Sequence, residues 1–252
     1  MRRVVWIALL IASPALADDD VCFELGGQGI APCATPKGHV AIESNLTDWI
    51  RDGHGADRAD TLSLAASIAR IGLGGLTEAR ISVSPLILTR SQGRRWIADF
   101  GDLTIGAKHQ FGKDGPVGLA LQFTIPTGGS PAGQQLWSAE AILPVQVPLS
   151  KQFTLDLTAA ADAAPNSSGH GRHFEWSMVA GTDITPSEAL TITADVKRQR
   201  DDDPLSHTTQ TSASLSLGWH LAKHAQLTLG GVAGLDHDAA QAEAYLGAAV
   251  LF

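Results

Sequence analysis

The chain has 252 residues, with 18 basic and 26 acidic side chains and a formal net charge of −8. That acidic balance argues against nucleic acid as a partner and gives no attraction to anionic lipid. Hydrophobic residues make up 44% of the chain, yet no later segment approaches the ~20 continuous apolar residues of a membrane-spanning helix.

The N-terminus reads as a secretory signal. Arg2 and Arg3 precede an apolar run from Val4 to Ala12, then Ser13, Pro14 and an Ala15-Leu16-Ala17 cleavage site. Residues 1–17 are therefore expected to be removed, leaving a mature chain that starts near Asp18. The two cysteines, Cys22 and Cys33, follow directly. An oxidising compartment permits a disulfide between them, and neither has the neighbouring Cys or His that zinc would need. No lipoprotein-type motif precedes Cys22. Residues 18–38 are rich in Gly and Pro and are read as a periplasmic lead-in stapled by that bridge. A small plug inside a barrel is the less favoured alternative.

From residue 39 to 252 the pattern is a succession of about twelve strands with period-two alternation. Val40, Ile42 and Leu46 oppose Glu43 and Asn45. Leu62, Leu64 and Ile68 oppose Ser63 and Ser67. Ile81, Val83 and Ile87 oppose Arg80 and Ser82. Leu103, Ile105 and Phe111 oppose Thr104, Gly106 and Lys108, and Val117 to Phe123 and Trp137 to Val145 follow suit. The second half is cleaner: Phe153 to Ala159, Phe174 to Ala180, Leu190 to Val196, Thr211 to Trp219, Leu227 to Leu235 and Ala242 to Phe252. Short turns (Gly72 to Glu78, Gly112 to Pro116, Leu149 to Gln152, Thr185 to Ala189, Ala222 to Ala225) alternate with mostly longer polar loops. The latter are Arg51 to Asp60, Thr89 to Ala98, Thr127 to Leu136, Ala163 to His173 and Arg200 to Thr208; a short connection, Asp236 to Ala240, comes last. That rhythm, an even strand count and aromatics near both strand ends predict an all-β fold, a transmembrane antiparallel up-and-down barrel with apolar faces toward outer-membrane lipid. Tyr245 is the only tyrosine, a departure from the usual aromatic girdle. A soluble sandwich or barrel would show the same alternation with its faces reversed. The last strand ends on Phe252, and a terminal aromatic there resembles the signal read by the barrel-assembly machinery.

One stretch is more specific. Gly101-Asp102-Leu103-Thr104-Ile105-Gly106-Ala107-Lys108-His109 is followed one hairpin later by Phe123-Thr124-Ile125-Pro126-Thr127-Gly128. It resembles the outer-membrane barrel family catalogued as transporters of the phenol-degradation meta-cleavage pathway. Ile105 stands where that family usually has Leu, and His109 where Tyr is frequent. The resemblance implies passage of small apolar or aromatic molecules, and it carries no catalytic motif. An architectural reading stands beside it and is favoured: Gly101 and Gly106 relieve crowding, Asp102 and Lys108 join an interior charge network, and Pro126, Thr127 and Gly128 end a strand.

If apolar faces meet lipid, the opposite faces line a lumen. Its charged residues are expected to be Glu43, Arg80, Asp102, Lys108, Glu140, Asp156, Glu175, Asp183, Asp195, Lys197 and Glu243. Acids outnumber bases, so a narrow aqueous path would disfavour anions. His54, His170, His173, His207 and His237 lie among carboxylates in the predicted connections, a composition able to hold Zn²⁺, Cu²⁺ or Ni²⁺. A solvated acidic rim explains them more simply, and neither a metal nor a cofactor is assigned. Ser177 near His173 and Ser212 near His207 match no recognised hydrolase motif, and their strand faces put them inside. The leading expectation is passive passage of a small solute. A closed structural or surface-binding barrel acting through its outer loops comes second, and a lipid hydrolase third.

Overall fold

A computed structural model describes residues 22–130 and 132–252; the predicted signal peptide lies outside them. Fourteen strand segments form one antiparallel sheet: β1 (Val40–Asp52), β2 (Ala59–Gly74), β3 (Thr77–Val83), β4 (Leu86–Ser91), β5 (Ile97–Asp99), β6 (Leu103–Gln110), β7 (Gly118–Ile125), β8 (Ser138–Pro148), β9 (Phe153–Pro165), β10 (Arg172–Ser187), β11 (Leu190–Asp203), β12 (Ser206–Ala222), β13 (Ala225–Gly234) and β14 (Ala242–Leu251). β3 and β4 both pair with β2, one on each half of its length, and β5 and β6 continue the same order. Each of those couples is one stave interrupted midway, so the sheet has twelve staves. β1 pairs with both β2 and β14, which closes the barrel. At the seam Val40 and Phe252 exchange backbone hydrogen bonds of 3.0 and 2.9 Å.

The distribution of polarity is inverted relative to a soluble protein. Arg70, Glu78 and Lys108 are fully enclosed, whereas Leu121, Met178, Leu215 and Leu229 are each more than half exposed. An apolar exterior of that extent needs a lipid solvent. Exposed Phe111, Phe153, Trp219 and Phe252 sit at the short-turn end, and exposed Phe100, Phe123, Trp137 and Phe174 toward the other. Arg172 stacks on Trp137 at 3.4 Å from the ring centre, where a membrane surface meets water. These are the two expected girdles.

Two sequence expectations about the strands change. Arg200 to Thr208, read as a long loop, is a hairpin in which β11 and β12 stay paired to Asp203 and Ser206 around a two-residue turn. The first staves also carry a crease. β1 shifts register between Asn45 and Thr47, Ala65 of β2 is left-handed (φ 56), and β3 and β4 part at Ser84 and Pro85. β5 and β6 part between Asp99 and Leu103 at the same level. Each defect shifts a strand by one residue and so exchanges its faces. Ile68, expected to face lipid with Leu62 and Leu64, instead lines the interior beside Glu43, and Arg70 follows it inward. Ile87 likewise faces in, paired with Ser63 and Asp99.

The left-handed backbone at Ala65 is strained for any residue with a Cβ, most of all for a β-branched one. Ala65→Val is therefore expected to lower the stability of the folded barrel by about 1–2 kcal/mol while Ala65→Gly is tolerated. Urea unfolding in lipid vesicles measures both.

Candidate functional site: the occupied lumen

The segment before β1 is not a periplasmic lead-in. Residues 22–38 run across the inside of the barrel, tied to opposite walls, so the plug alternative is the one that matches. Cys22 and Cys33 form the expected disulfide, with Cα atoms 6.1 Å apart. One anchor is an ion network on β1, β2, β3 and β6. Arg70 binds Glu43 at 2.7 Å and Glu78 at 2.9 Å, and it also donates to the backbone carbonyls of Cys22 (2.7 Å) and Cys33 (3.1 Å). Arg80 bridges Glu78 (2.9 Å) and Glu24 of the segment (2.7 Å). Lys108 pairs with Glu24, approaches Glu78 at 3.4 Å and donates to the carbonyl of Ala31 at 2.9 Å. Thr35 donates to Glu78 through both its N–H (2.7 Å) and its hydroxyl (2.9 Å). Three cations meet three carboxylates, with hydrogen bonds filling the remaining positions, which is the condition for enclosing so much charge.

The other anchor lies across the lumen. The backbone N–H and side-chain amide of Gln28 donate to Asp195 at 2.9 and 2.8 Å. Ser212 donates to Gln28 (2.7 Å) and Ser214 to Asp195 (2.7 Å). Gly27 N–H reaches the Tyr245 hydroxyl at 3.2 Å, Gln226 donates to the Leu25 carbonyl at 3.1 Å, and Ile30 N–H to Thr158 at 3.3 Å. Close approach of the segment explains Gly72 of β2: a Cβ there would lie 1.9 Å from the Pro36 carbonyl oxygen.

A cavity of about 320 Å³ lies on the outer side, bounded by Glu24, Leu25, Ile30, Glu43, Ile68 and Arg80, among others. A second, of about 250 Å³, lies on the short-turn side among Gln146, Asp156, Thr158, Asp183, Thr193 and Asp195.

Of the charged residues expected inside, Glu43, Arg80 and Lys108 belong to the network and Asp195 to the second anchor. Glu140 takes a 3.4 Å contact from Gln122, Asp156 accepts from Gln146 at 2.7 Å, Asp183 from Thr193, and Glu175 from Gln199 at 2.8 Å. Lys197 and Glu243 line a recess with Gln28. Asp102 departs from expectation. It stands just before β6, outside the charge network, and its carboxylate accepts the N–H groups of Gly128 (2.7 Å) and Gln134 (2.6 Å). The Thr127 hydroxyl accepts the N–H of Leu103 at 2.9 Å. Gly101 N–H donates to Ser84 at 2.8 Å, and a Cβ on Gly106 would sit 2.5 Å from the Leu121 carbonyl oxygen. The two halves of the sequence motif, Gly101 to Lys108 and Pro126 to Gly128, thus clasp each other beside the crease.

Sequence reasoning missed Arg70, Glu78 and Glu24, the members that hold the segment in place. Arg70 was hidden by the face exchange at Ala65. Glu78 had been placed in a turn, and Glu24 in a segment read as lying outside the barrel. Ser177 and Ser212 both face inward, and Ser212 is committed to Gln28.

Removing Arg70 would leave three enclosed carboxylates facing two cations, a loss of about 3–5 kcal/mol by the measure of broken buried pairs. Arg70→Met is expected to loosen residues 22–38 and make the Cys22–Cys33 disulfide reducible in the folded barrel, with partial recovery in Arg70→Met/Glu43→Gln. Thiol labelling after mild reduction reads this out.

Solved structures with this fold include the COG4313 outer membrane channel from Pseudomonas putida F1 (TM-score 0.68, 14% identity, covering 88% of this chain and 98% of that one). The KdgM porin in complex with disordered oligogalacturonate matches with a TM-score of 0.52, at 11% identity over 84% of this chain and 99% of that one. The CymD monoaromatic hydrocarbon channel matches with a TM-score of 0.50, at 10% identity over 86% and 88%. A search of curated proteins finds no match. The fold is the one these outer-membrane channels and porins share. The family model described as "Putative MetA-pathway of phenol degradation" matches residues 26–252, and the chain belongs to that family.

Proposed function

We propose that the barrel passes a small solute, apolar or aromatic in part, by passive diffusion through a lumen narrowed by residues 22–38. The carrying observation is the crosswise segment with a cavity on each side of it. Solute selection would then fall to the groups around that segment. Leu25, Ile30, Ile68 and Val83 give the outer cavity an apolar side next to Glu43 and Arg80. The family description and the likeness to a monoaromatic hydrocarbon channel support the solute class.

Charge sets the second criterion. The cations Arg70, Arg80 and Lys108 are neutralised by Glu24, Glu43 and Glu78. On the β8 to β14 wall Glu140, Asp156, Asp162, Glu175, Asp183, Asp201 and Glu243 greatly outnumber Lys197. Such a wall disfavours anions. The expected partners are outer-membrane lipid around the apolar belt and the barrel-assembly machinery at the strand ending in Phe252. A closed structural barrel is the second reading, favoured by the number of bonds holding the segment.

Planar-bilayer recording and liposome swelling with phenol-sized solutes decide between them. The native barrel is expected to give small, cation-preferring steps. Gln28→Ala, which frees the segment from Asp195, should enlarge them, and Glu140→Gln should weaken the preference. No conductance and no flux in either the native protein or Gln28→Ala would leave the closed barrel as the answer.

A further inference from the structure

High on the β10 and β11 wall, away from the ion network, three side chains converge. His173 and Glu175 are two residues apart on β10 and share its inward face, and Asp201 of β11 stands directly opposite Glu175. One donor atom from each lies within 4.8 Å of the other two. The His173 side chain is only 6% exposed.

The hydrogen on one nitrogen of that ring is placed by its neighbour. Asn166 Nδ2 donates to the His170 carbonyl at 2.8 Å, which turns Asn166 Oδ1 toward His173 Nδ1 at 3.0 Å. Oδ1 only accepts, so Nδ1 carries a hydrogen, and Nε2 is the nitrogen left to present a lone pair to an ion. Among the described residues Nε2 has no hydrogen-bond partner, although Asp201 Oδ1 lies 2.8 Å away. Two acceptors this close repel unless positive charge joins them.

A metal ion resolves the arrangement. Zinc holds imidazole nitrogen and carboxylate oxygen at ~2.0–2.2 Å, so two adjacent ligands stand ~2.8–3.4 Å apart at angles from square to tetrahedral. The Asn166 contact supplies the outer support that metal-binding imidazoles require. Gln199 occupies Glu175 Oε1 at 2.8 Å and leaves Oε2 for an ion. Asp162, paired with Glu175 from β9, also has an oxygen without a partner. We propose that His173, Glu175 and Asp201 form a binding site for a divalent transition-metal ion of the zinc class, on the lumen wall beneath the outer rim. The open position of the ion faces the lumen.

The test is calorimetric titration of Zn²⁺ into the refolded full-length barrel in detergent, after treatment with a chelator. One ion per barrel is expected. His173→Gln and Asp201→Asn should each weaken binding more than tenfold, and Asn166→Ala by about tenfold as an outer-support loss. Heat-modifiable migration on gels confirms closure of each variant, and Asp201→Asn with Asn166→Ala carries the test if His173→Gln fails to close. Ca²⁺ should not compete, because it favours six to eight oxygen ligands. His237, stacked on His54 at the outer rim with ring centres 4.6 Å apart, is the control: His237→Gln should bind as the native protein does. No binding to the native barrel overturns the proposal. So does affinity unchanged by His173→Gln and Asp201→Asn, or binding lost only in His237→Gln.

Discussion

Arg70 is the charge on which the interior depends. Its guanidinium has donors in a fixed fork, and they are divided among two wall carboxylates and two backbone carbonyls of the segment inside. No smaller cation could bind the wall and both cysteine carbonyls at once. With it in place, Glu43 and Glu78 become acceptors for the segment's own donors, Glu24 N–H and Thr35. The wall and its occupant are therefore one electrostatic unit, and the low surrounding dielectric strengthens each contact provided all are made.

Lipid outside and charge inside follow from a single rule, one residue in and the next out. The crease is where that rule is broken locally. A bulge in β1, a left-handed residue in β2 and two interrupted staves lie side by side, and Gly101, Asp102 and Gly128 knit the loop beside them. Below the crease the wall presents Arg70 and Arg80 to the lumen. Above it, Asp60 takes Arg51 (2.9 Å) and Arg90 (2.7 Å). The defect thus lets one strand serve two separate charge sites.

Much of this was legible in sequence. Period-two alternation, the rhythm of connections and the motif from Gly101 to Gly128 identify the barrel and its family. Glu43, Arg80, Lys108 and Asp195, which the structure buries, could be read as inward because a charged side chain among apolar neighbours has one tolerable direction in lipid. What escaped reading has a common physical cause. A one-residue bulge leaves composition unchanged while exchanging every face beyond it, so Ile68 and Arg70 were misplaced. The Gly- and Pro-rich stretch of residues 22–38 has no periodicity, and its location depends on bonds to residues far along the chain. His173 was noticed but misplaced for a related reason: Ala163 to His173 reads as an outer loop, whereas β10 begins at Arg172 and carries the ring inside.

The separations along the chain in those bonds also bear on how the barrel forms. Arg70 and Glu78 are eight residues apart, and Arg70 and Glu43 twenty-seven. Glu24 and Lys108, at eighty-four, still belong to the first half of the sequence. This cluster can assemble on a half-built, open sheet. Gly27 and Tyr245 are 218 residues apart, and Gln226 and Leu25 are 201; those contacts cannot exist until the last strands have swung round. The segment can be held by one edge of an open sheet before the other edge reaches it. It therefore has no need to be threaded into a finished ring, and its far contacts add to the free energy that favours closing the ring around it.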